Sequence, residues 1–381
     1  MDTSLKPIAE KVEAGQRLSF EDGLTLLRSR DIWTIGRLAS RVRHRMHGKR
    51  AWYNINRHLN YSNVCALSCK FCAFYRKKDQ PGAYEYAMDD IARDARQAAE
   101  AGATEMHIVG GLHPWLEFSY YTDMLRTIRE AAPKMHIKAF TAVEIVHFAR
   151  ISKRPRDIRG VLSDLKEAGL GSLPGGGAEV FDDRVHDETF KGKIRSDRWL
   201  EVHHAAHELG LMSNATILYG HVESLEDRVR HFVMLRNAQD EAIEQGHPGR
   251  FQTVIPLPFV PDDSELEHLY GPTGLDDLKM LAVSRLMLDN IPHIKSFWIM
   301  QTLPLTQVAL DFGVDDVDGT VVWYDITKVG GSDTHQEVTV QDLREAILEA
   351  GYDPAERDTL YRPVTRDGAD WQLAEGEAAV A

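Results

Sequence analysis

The chain is 381 residues long, carries a formal net charge of −13 and is 43% hydrophobic. That length and apolar content suit a globular protein with a large core, and the acidic balance excludes a nucleic-acid partner, which requires clustered Lys and Arg. No apolar run nears the roughly 20 residues that span a bilayer, and the opening MDTSLKPIAEKVEAGQ lacks the apolar core of a signal peptide, so a cytoplasmic, thiol-reducing setting is expected.

Residues 1–50 read as an amphipathic helical extension. Leu24, Leu26, Leu27, Ile32, Ile35, Leu38 and Val42 recur at three- and four-residue intervals. The basic run Arg41–Arg50 fits a helix end, where cations favour the C-terminal dipole. After Gly48 the pattern changes to β-prone segments separated by helices. Strands are expected at Trp52–Leu59, Glu105–Val109, Ile137–Thr141, near Ser172, and at Ser213–Leu218, Gln252–Ile255, Ser296–Met300 and Thr320–Trp323. Helices are expected at 88–103, 161–170 and 199–211, the last two closed by glycine C-caps. Strands alternating with helices imply parallel pairing through right-handed crossovers. Eight such units predict an α/β fold, a (β/α)8 TIM-type barrel over 51–323, with an incomplete barrel of six units as the alternative. A C-terminal extension follows over 324–381, with one helix at 340–352 and a frayed polar end, EGEAAVA.

The three cysteines of the chain, Cys65, Cys69 and Cys72, fall within eight positions at Cys-x3-Cys-x2-Cys spacing. Thiolates are soft ligands that suit iron–sulfur clusters and zinc. A structural zinc takes four protein ligands. Three clustered thiolates without a fourth cysteine therefore suggest a 4Fe–4S cluster with one open iron. The competing reading is a Cys3His zinc site in a non-catalytic scaffold, with His58, His107 or His113 as the fourth ligand.

The segment NVCALSCKFCAF (Asn63–Phe74) resembles the cluster loop of the radical S-adenosylmethionine (SAM) enzymes. The resemblance implies that the cysteines hold three irons, that SAM chelates the fourth, and that Phe71 packs near the adenine. In a barrel the loops after the strand C-termini build the active site, and the cysteine loop follows the first strand. Gly110-Gly111 after the second strand resembles the glycine pair whose carbonyls take the SAM amino group. Glu144, after the third, can accept hydrogen bonds from a ribose diol or a substrate hydroxyl. Glu179, after the glycine run Gly175–Gly177, resembles the acidic residue that binds SAM in relatives. Lys193 and Arg198 can pair with a carboxylate of SAM or substrate, and Tyr219-Gly220-His221 brings a glycine near the adenine. His113 and His221 fall at strand ends, and His113 is a candidate acid–base group. Arg285 and Asp289 are spaced as an i,i+4 surface pair, and Asp315, Asp316 and Asp318 read as loop chemistry.

Further stretches, HIVGGLHP (107–114), HIKAFTAVEI (136–145), SLPGGGAEVF (172–181), SNATILYGHVE (213–223), SRLMLDNIPHIKSFWIM (284–300) and DDVDGTVV (315–322), resemble the aminofutalosine synthases of the futalosine route to menaquinone. Asn60-Tyr-Ser-Asn63 departs from the Asn-Pro-Thr-Asn expected there. The resemblance implies addition of the 5′-deoxyadenosyl radical to 3-[(1-carboxyvinyl)oxy]benzoate, with aryl migration and decarboxylation. It also implies an electron donor such as flavodoxin or ferredoxin, and Lys193, Arg198 or Arg285 opposite the substrate carboxylates. A cyclic dehypoxanthinyl futalosine synthase, in which SAM only initiates, is the alternative enzyme.

Overall fold

The computed structural model describes residues 2–327 and 337–374. Three helices open the chain: α1 (Lys6–Glu13), α2 (Phe20–Arg28) and α3 (Ile32–His47). The amphipathic run from Leu24 to Val42 is thus interrupted. Asp31 accepts from the Thr34 backbone N–H and starts α3 as a new helix. Its buried face, including Ile35, Leu38 and Ala39, packs on a later barrel helix.

A first strand, β1 (Arg50–Asn54), is followed after Ile55 by β2 (Asn56–Leu59). The chain then alternates α4 (Met88–Glu100), β3 (Glu105–Ile108), α5 (Phe118–Ala131), β4 (His136–Ala139), α6 (Ala142–Ile151), α7 (Ile158–Ala168) and β5 (Ser172–Leu173). Next come α8 (Asp183–Thr189), α9 (Ser196–Glu208), β6 (Met212–Tyr219), α10 (Leu225–Glu244), β7 (Phe251–Pro258), α11 (Gly274–Met287) and β8 (His293–Ile294). The remainder runs α12 (Trp298–Gln301), α13 (Leu303–Ala309), β9 (Asp316–Gly319), α14 (Val340–Glu349), β10 (Asp353–Glu356), β11 (Val364–Asp367) and β12 (Asp370–Leu373).

Strands β2 to β8 form one seven-stranded parallel sheet in sequence order. Helices such as α4, which buries Ile91, Ala95 and Ala98 at helical spacing, cover its outer face. The sheet curls until its edges approach each other across β9. There Lys295 bridges Asp316 and Arg57 bridges Val322. The α/β barrel architecture is therefore present as a curled seven-stranded sheet, and its last seam is closed by isolated bridges.

Three expected strands resolve differently. Trp52–Leu59 divides at Ile55, because β1 leaves the barrel to sit between β9 and β10 in a separate parallel sheet. The strand expected at Ser296–Met300 is β8, a few residues earlier. Beyond it Gln301 accepts from Ser296 Oγ (2.7 Å) and the Phe297 N–H (3.1 Å), which turns the chain into α12. The strand expected at Thr320–Trp323 lies earlier as well, at β9. The polar end 375–381 falls outside the described residues.

Candidate active site

A cavity of about 330 Å³ opens at the C-terminal ends of the barrel strands, and all three cysteines line it. The cysteine loop leaves β2 and is held by its neighbours. Cys65 N–H donates to Arg76 O (3.0 Å), Ala66 N–H to Leu112 O (2.9 Å), and Lys77 Nζ donates to the carbonyls of Cys65 and Leu67. All three thiols are free. Burial pushes the Cys69 thiol up to about 11 and raises that of Cys72 as well. Such thiols ionise when a cationic centre replaces the lost hydration. Two backbone N–H groups, of Leu67 and Leu112, already point at the Cys65 sulfur at 3.4 Å, as donors to a metal-bound thiolate do. Four ligands of one zinc at 2.3 Å would stand about 3.8 Å apart. The cysteines are not among the described residues whose ligand atoms gather within 4.8 Å. They are therefore not gathered as three ligands of one ion, and three thiolates on one loop are the donor set of a 4Fe–4S cluster.

Gly110 and Gly111 line the cavity, and packing explains the absence of a side chain. A Cβ on Gly110 would lie 2.6 Å from the Tyr61 ring, and one on Gly111 would lie 2.3 Å from Val64 O. Both contacts tie this turn to the cysteine loop, and Gly111 N–H also donates to Ser62 O (2.8 Å). Phe71 lines the cavity with its ring edge-on to Phe190.

Glu144 also reaches the cavity wall, but its oxygens are committed. Oε1 accepts from Tyr61 Oη (2.8 Å) and Gly110 N–H (3.1 Å), and Oε2 accepts from the N–H (2.7 Å) and Oγ1 (2.8 Å) of Thr141. It is the third residue of α6 in a capping box with Thr141. Burial outweighs these bonds and lifts its carboxyl to about 7. Placed this way, Glu144 positions Tyr61 and Gly110.

Glu179 lies in the cavity and pairs with Lys193, whose ammonium sits 5.3 Å from the centre of the Phe71 ring. Burial opposes the Lys193 charge, but Glu179 and the cysteine sulfurs outweigh it and hold its pKa above the usual lysine value. Arg198 is absent from this group. It lies on the outer face of α9, bonded to Glu201 and to Pro155 O (3.2 Å), because the helix turns residue 198 away from the barrel mouth.

His113 is likewise outside the cavity lining. Its Nδ1 accepts from the N–H of Trp115 (3.3 Å) and Leu116 (3.1 Å), while Nε2 lies 2.9 Å from Glu85. The ring thus fastens the turn after Pro114. His221 is spent similarly, on Leu218 O (3.1 Å). Arg285 is buried against Asp315 (2.6 Å) and the carbonyls of Gly313 and Pro292, so the expected i,i+4 pair with Asp289 is not made. Asp289 instead pairs with Arg17 (2.9 Å). Asp316 binds Arg357 and Tyr361, and among the three aspartates only Asp318 lines the cavity.

Residues that the sequence reading did not single out complete the cavity. Lys138, Asn214, Thr216 and Lys295 line it, joined by His58 and His107, which the sequence offers only as zinc ligands. The available signal was a lysine in or beside a short strand expected to be buried, at Lys138 in HIKA and Lys295 in HIKSF.

Comparison with known proteins defines the class. The radical SAM superfamily model matches residues 59–235, and a CofH/MqnC C-terminal region matches residues 249–368. The structure is similar to that of methylornithine synthase, with a TM-score of 0.72 at 18% identity, covering 91% of this chain and 97% of that one. The chain belongs to the radical SAM superfamily, whose enzymes use a 4Fe–4S cluster and SAM. More particularly, it is 46% identical to the aminodeoxyfutalosine synthase of Thermus thermophilus, over 95% of this chain and 96% of that one. It is 36% identical to the 5-amino-6-(D-ribitylamino)uracil–L-tyrosine 4-hydroxyphenyl transferase of Archaeoglobus fulgidus, over 85% and 92% respectively.

Proposed function

We propose that the protein is an aminodeoxyfutalosine synthase that joins the 5′-deoxyadenosyl unit of SAM to 3-[(1-carboxyvinyl)oxy]benzoate. The observation that carries this reading is 46% identity over 95% of the chain to an enzyme of that name. A cysteine-lined cavity with apolar walls and a polar floor supports it. When bound, the cluster supplies the electron that splits SAM into methionine and the 5′-deoxyadenosyl radical. The radical would add to the vinyl carbon, the aryl group would migrate from oxygen to carbon, and carbon dioxide would leave. The ketyl radical anion that remains would give up one electron, for which the oxidised cluster is the acceptor, so that the electron is returned and the ketone formed. The product is 6-amino-6-deoxyfutalosine.

On this reading Cys65, Cys69 and Cys72 are the cluster ligands. The loops carrying Phe71, Gly110, Gly111 and Glu179 border SAM, and Lys193 holds Glu179 in place from the cysteine side. Glu144 keeps the Tyr61–Gly110 wall rigid, so that SAM and the enol ether meet in one orientation. The apolar walls, Leu218, Ile255, Leu257, Phe259 and Phe297 among them, exclude water from the radical. Catalysis resides in the barrel at 51–323, with 1–50 and 324–381 as extensions. The reductant is a flavodoxin or ferredoxin, and the reaction is cytoplasmic. Among the described residues, no helix is long and apolar enough to cross a membrane.

The test is anaerobic turnover of the reconstituted protein with SAM labelled in the adenine, reductant and the carboxyvinyl substrate. Label in a product that carries the benzoate carbons is the expected result. Label confined to free deoxyadenosine, with the enol ether untouched, would transfer the protein to a hydrogen-abstracting class such as the cyclic dehypoxanthinyl futalosine synthases.

A further inference from the structure

The floor of the cavity is built by strand residues. Parallel register sets His58 of β2 beside His107 of β3, and His107 beside Lys138 of β4. The three side chains therefore stand in one lateral row on the inner face. Lys295, just after β8, and Asp318 of β9 face the same space. Polar groups inside a barrel are costly unless partnered, and most of these are partnered. Lys138 pairs with Glu105 (2.7 Å) and Lys295 with Asp318 (3.1 Å). An ammonium has three N–H donors, so each lysine retains further donors after these pairings.

His58 differs. It is 4% exposed, its ring stacks on His107 at 4.6 Å and meets the Tyr324 ring edge-on at 5.2 Å. Among the described residues, neither of its ring nitrogens has a hydrogen-bond partner. Burial holds the ring neutral, with its pKa down at about 4. One nitrogen therefore carries a proton to donate into the cavity. Glu105 and Asp318 match the charges of Lys138 and Lys295, so what the floor offers is donors: the remaining N–H groups of the two lysines and one N–H of His58, which suit the oxygens of a carboxylate.

We propose that His58, flanked by Lys138 and Lys295, forms a carboxylate subsite that receives the benzoate end of the substrate. The inference rests on the proposed function. In that substrate the vinyl carbon must reach the 5′ carbon of SAM beside the cysteine loop, and the enol carboxylate is attached to the same vinyl group. The ring carboxylate is the end left to reach the floor. His58 is thus a specificity-determining residue that orients the aryl ring for migration.

The experiment compares full-length reconstituted wild type with His58→Phe, which keeps a flat ring against His107 and removes both nitrogens. Two substrates are used: 3-[(1-carboxyvinyl)oxy]benzoate and 2-phenoxyacrylate, the same enol ether without the ring carboxylate. Loss of one hydrogen bond to a charged group raises KM for the benzoate at least roughly tenfold in His58→Phe, while KM for 2-phenoxyacrylate stays within about twofold. Iron content and SAM affinity match wild type, and His58→Gln, which retains an N–H, recovers most of the loss. An equal effect on both substrates, or no effect on either, overturns the subsite. If His58→Phe fails to hold its cluster, His58→Leu, which leaves both lysine–carboxylate pairs intact, carries the same comparison with the same two outcomes. Absence of an adenosyl adduct from wild type with both substrates would instead overturn the proposed function and the subsite with it.

Discussion

Substituting Gly111 by alanine separates two explanations of the glycine pair. The resemblance of Gly110-Gly111 to the glycine pair that meets SAM implies that a side chain here would exclude SAM. The structure instead places an added Cβ 2.3 Å from Val64 O, 2.8 Å from Val64 C and 3.1 Å from Asn63 C, all backbone atoms of the cysteine loop. The first separation is more than about 1 Å short of an optimal nonbonded contact. No flexible side chain is available to yield, so the loop itself must shift by a comparable distance. Cys65 is the next residue and moves with it. Overpacking of this kind costs about 1–3 kcal/mol, and an ångström at one ligand is large against the ±0.2 Å tolerance of a metal site. Gly111→Ala is therefore expected to lower iron and sulfide per chain after anaerobic reconstitution, with a fall in thermal midpoint. The fraction that does hold a cluster should bind SAM with an affinity near wild type. Full cluster occupancy combined with lost SAM affinity would refute this reasoning and return the glycine to a direct role at SAM.

Replacing any one of Cys65, Cys69 or Cys72 by alanine should abolish the brown colour and SAM cleavage. Because none is in a disulfide, far-UV circular dichroism should remain that of wild type. Glu144 has a folded pKa of about 7, raised by burial above its ordinary value of 4.5. The stability it contributes is complete below about pH 4.5 and is lost as pH rises through about 7, so the gap in thermal midpoint between wild type and Glu144→Gln should narrow from pH 5 to pH 8. A constant gap would contradict the shift. Arg285→Ala removes the guanidinium from a fully buried pair and leaves Asp315, among the described residues, only the hydrogen bonds of His293 and the Ile294 N–H, and calorimetric unfolding should show a loss of about 3–5 kcal/mol. Arg198→Ala removes a surface pair with Glu201 and an exposed hydrogen bond to Pro155 O, and should change stability by under about 1 kcal/mol with SAM and substrate KM unaltered.

The cysteine centre is legible in the sequence because its three ligands lie within one loop, where spacing alone decides what they can hold. The strand–helix alternation is legible for a similar reason, since period and capping are local properties. Glu144 carried a local signal too: Thr141-Ala-Val-Glu144 is a capping-box pattern, and it marks the helix start that occupies Oε2, whereas the Tyr61 and Gly110 donors that take Oε1 come from distant segments. Other features depended on chain packing. Lys193 faces the cavity and Arg198 does not, because the start of α9 turns the second away from the barrel mouth. Arg285 resembles a surface ion-pair residue in its helix, yet α3 and the segment before β9 enclose it. His58, Lys138 and Lys295 are single polar residues scattered across more than half the chain. Nothing in their spacing relates them, and only parallel strand register and the curl of the sheet bring them to one floor. Composition and local pattern thus determine the class of chemistry and the elements that carry it. Which distant side chains share a cavity is decided by the tertiary structure, because register and barrel closure act between residues that the sequence keeps far apart.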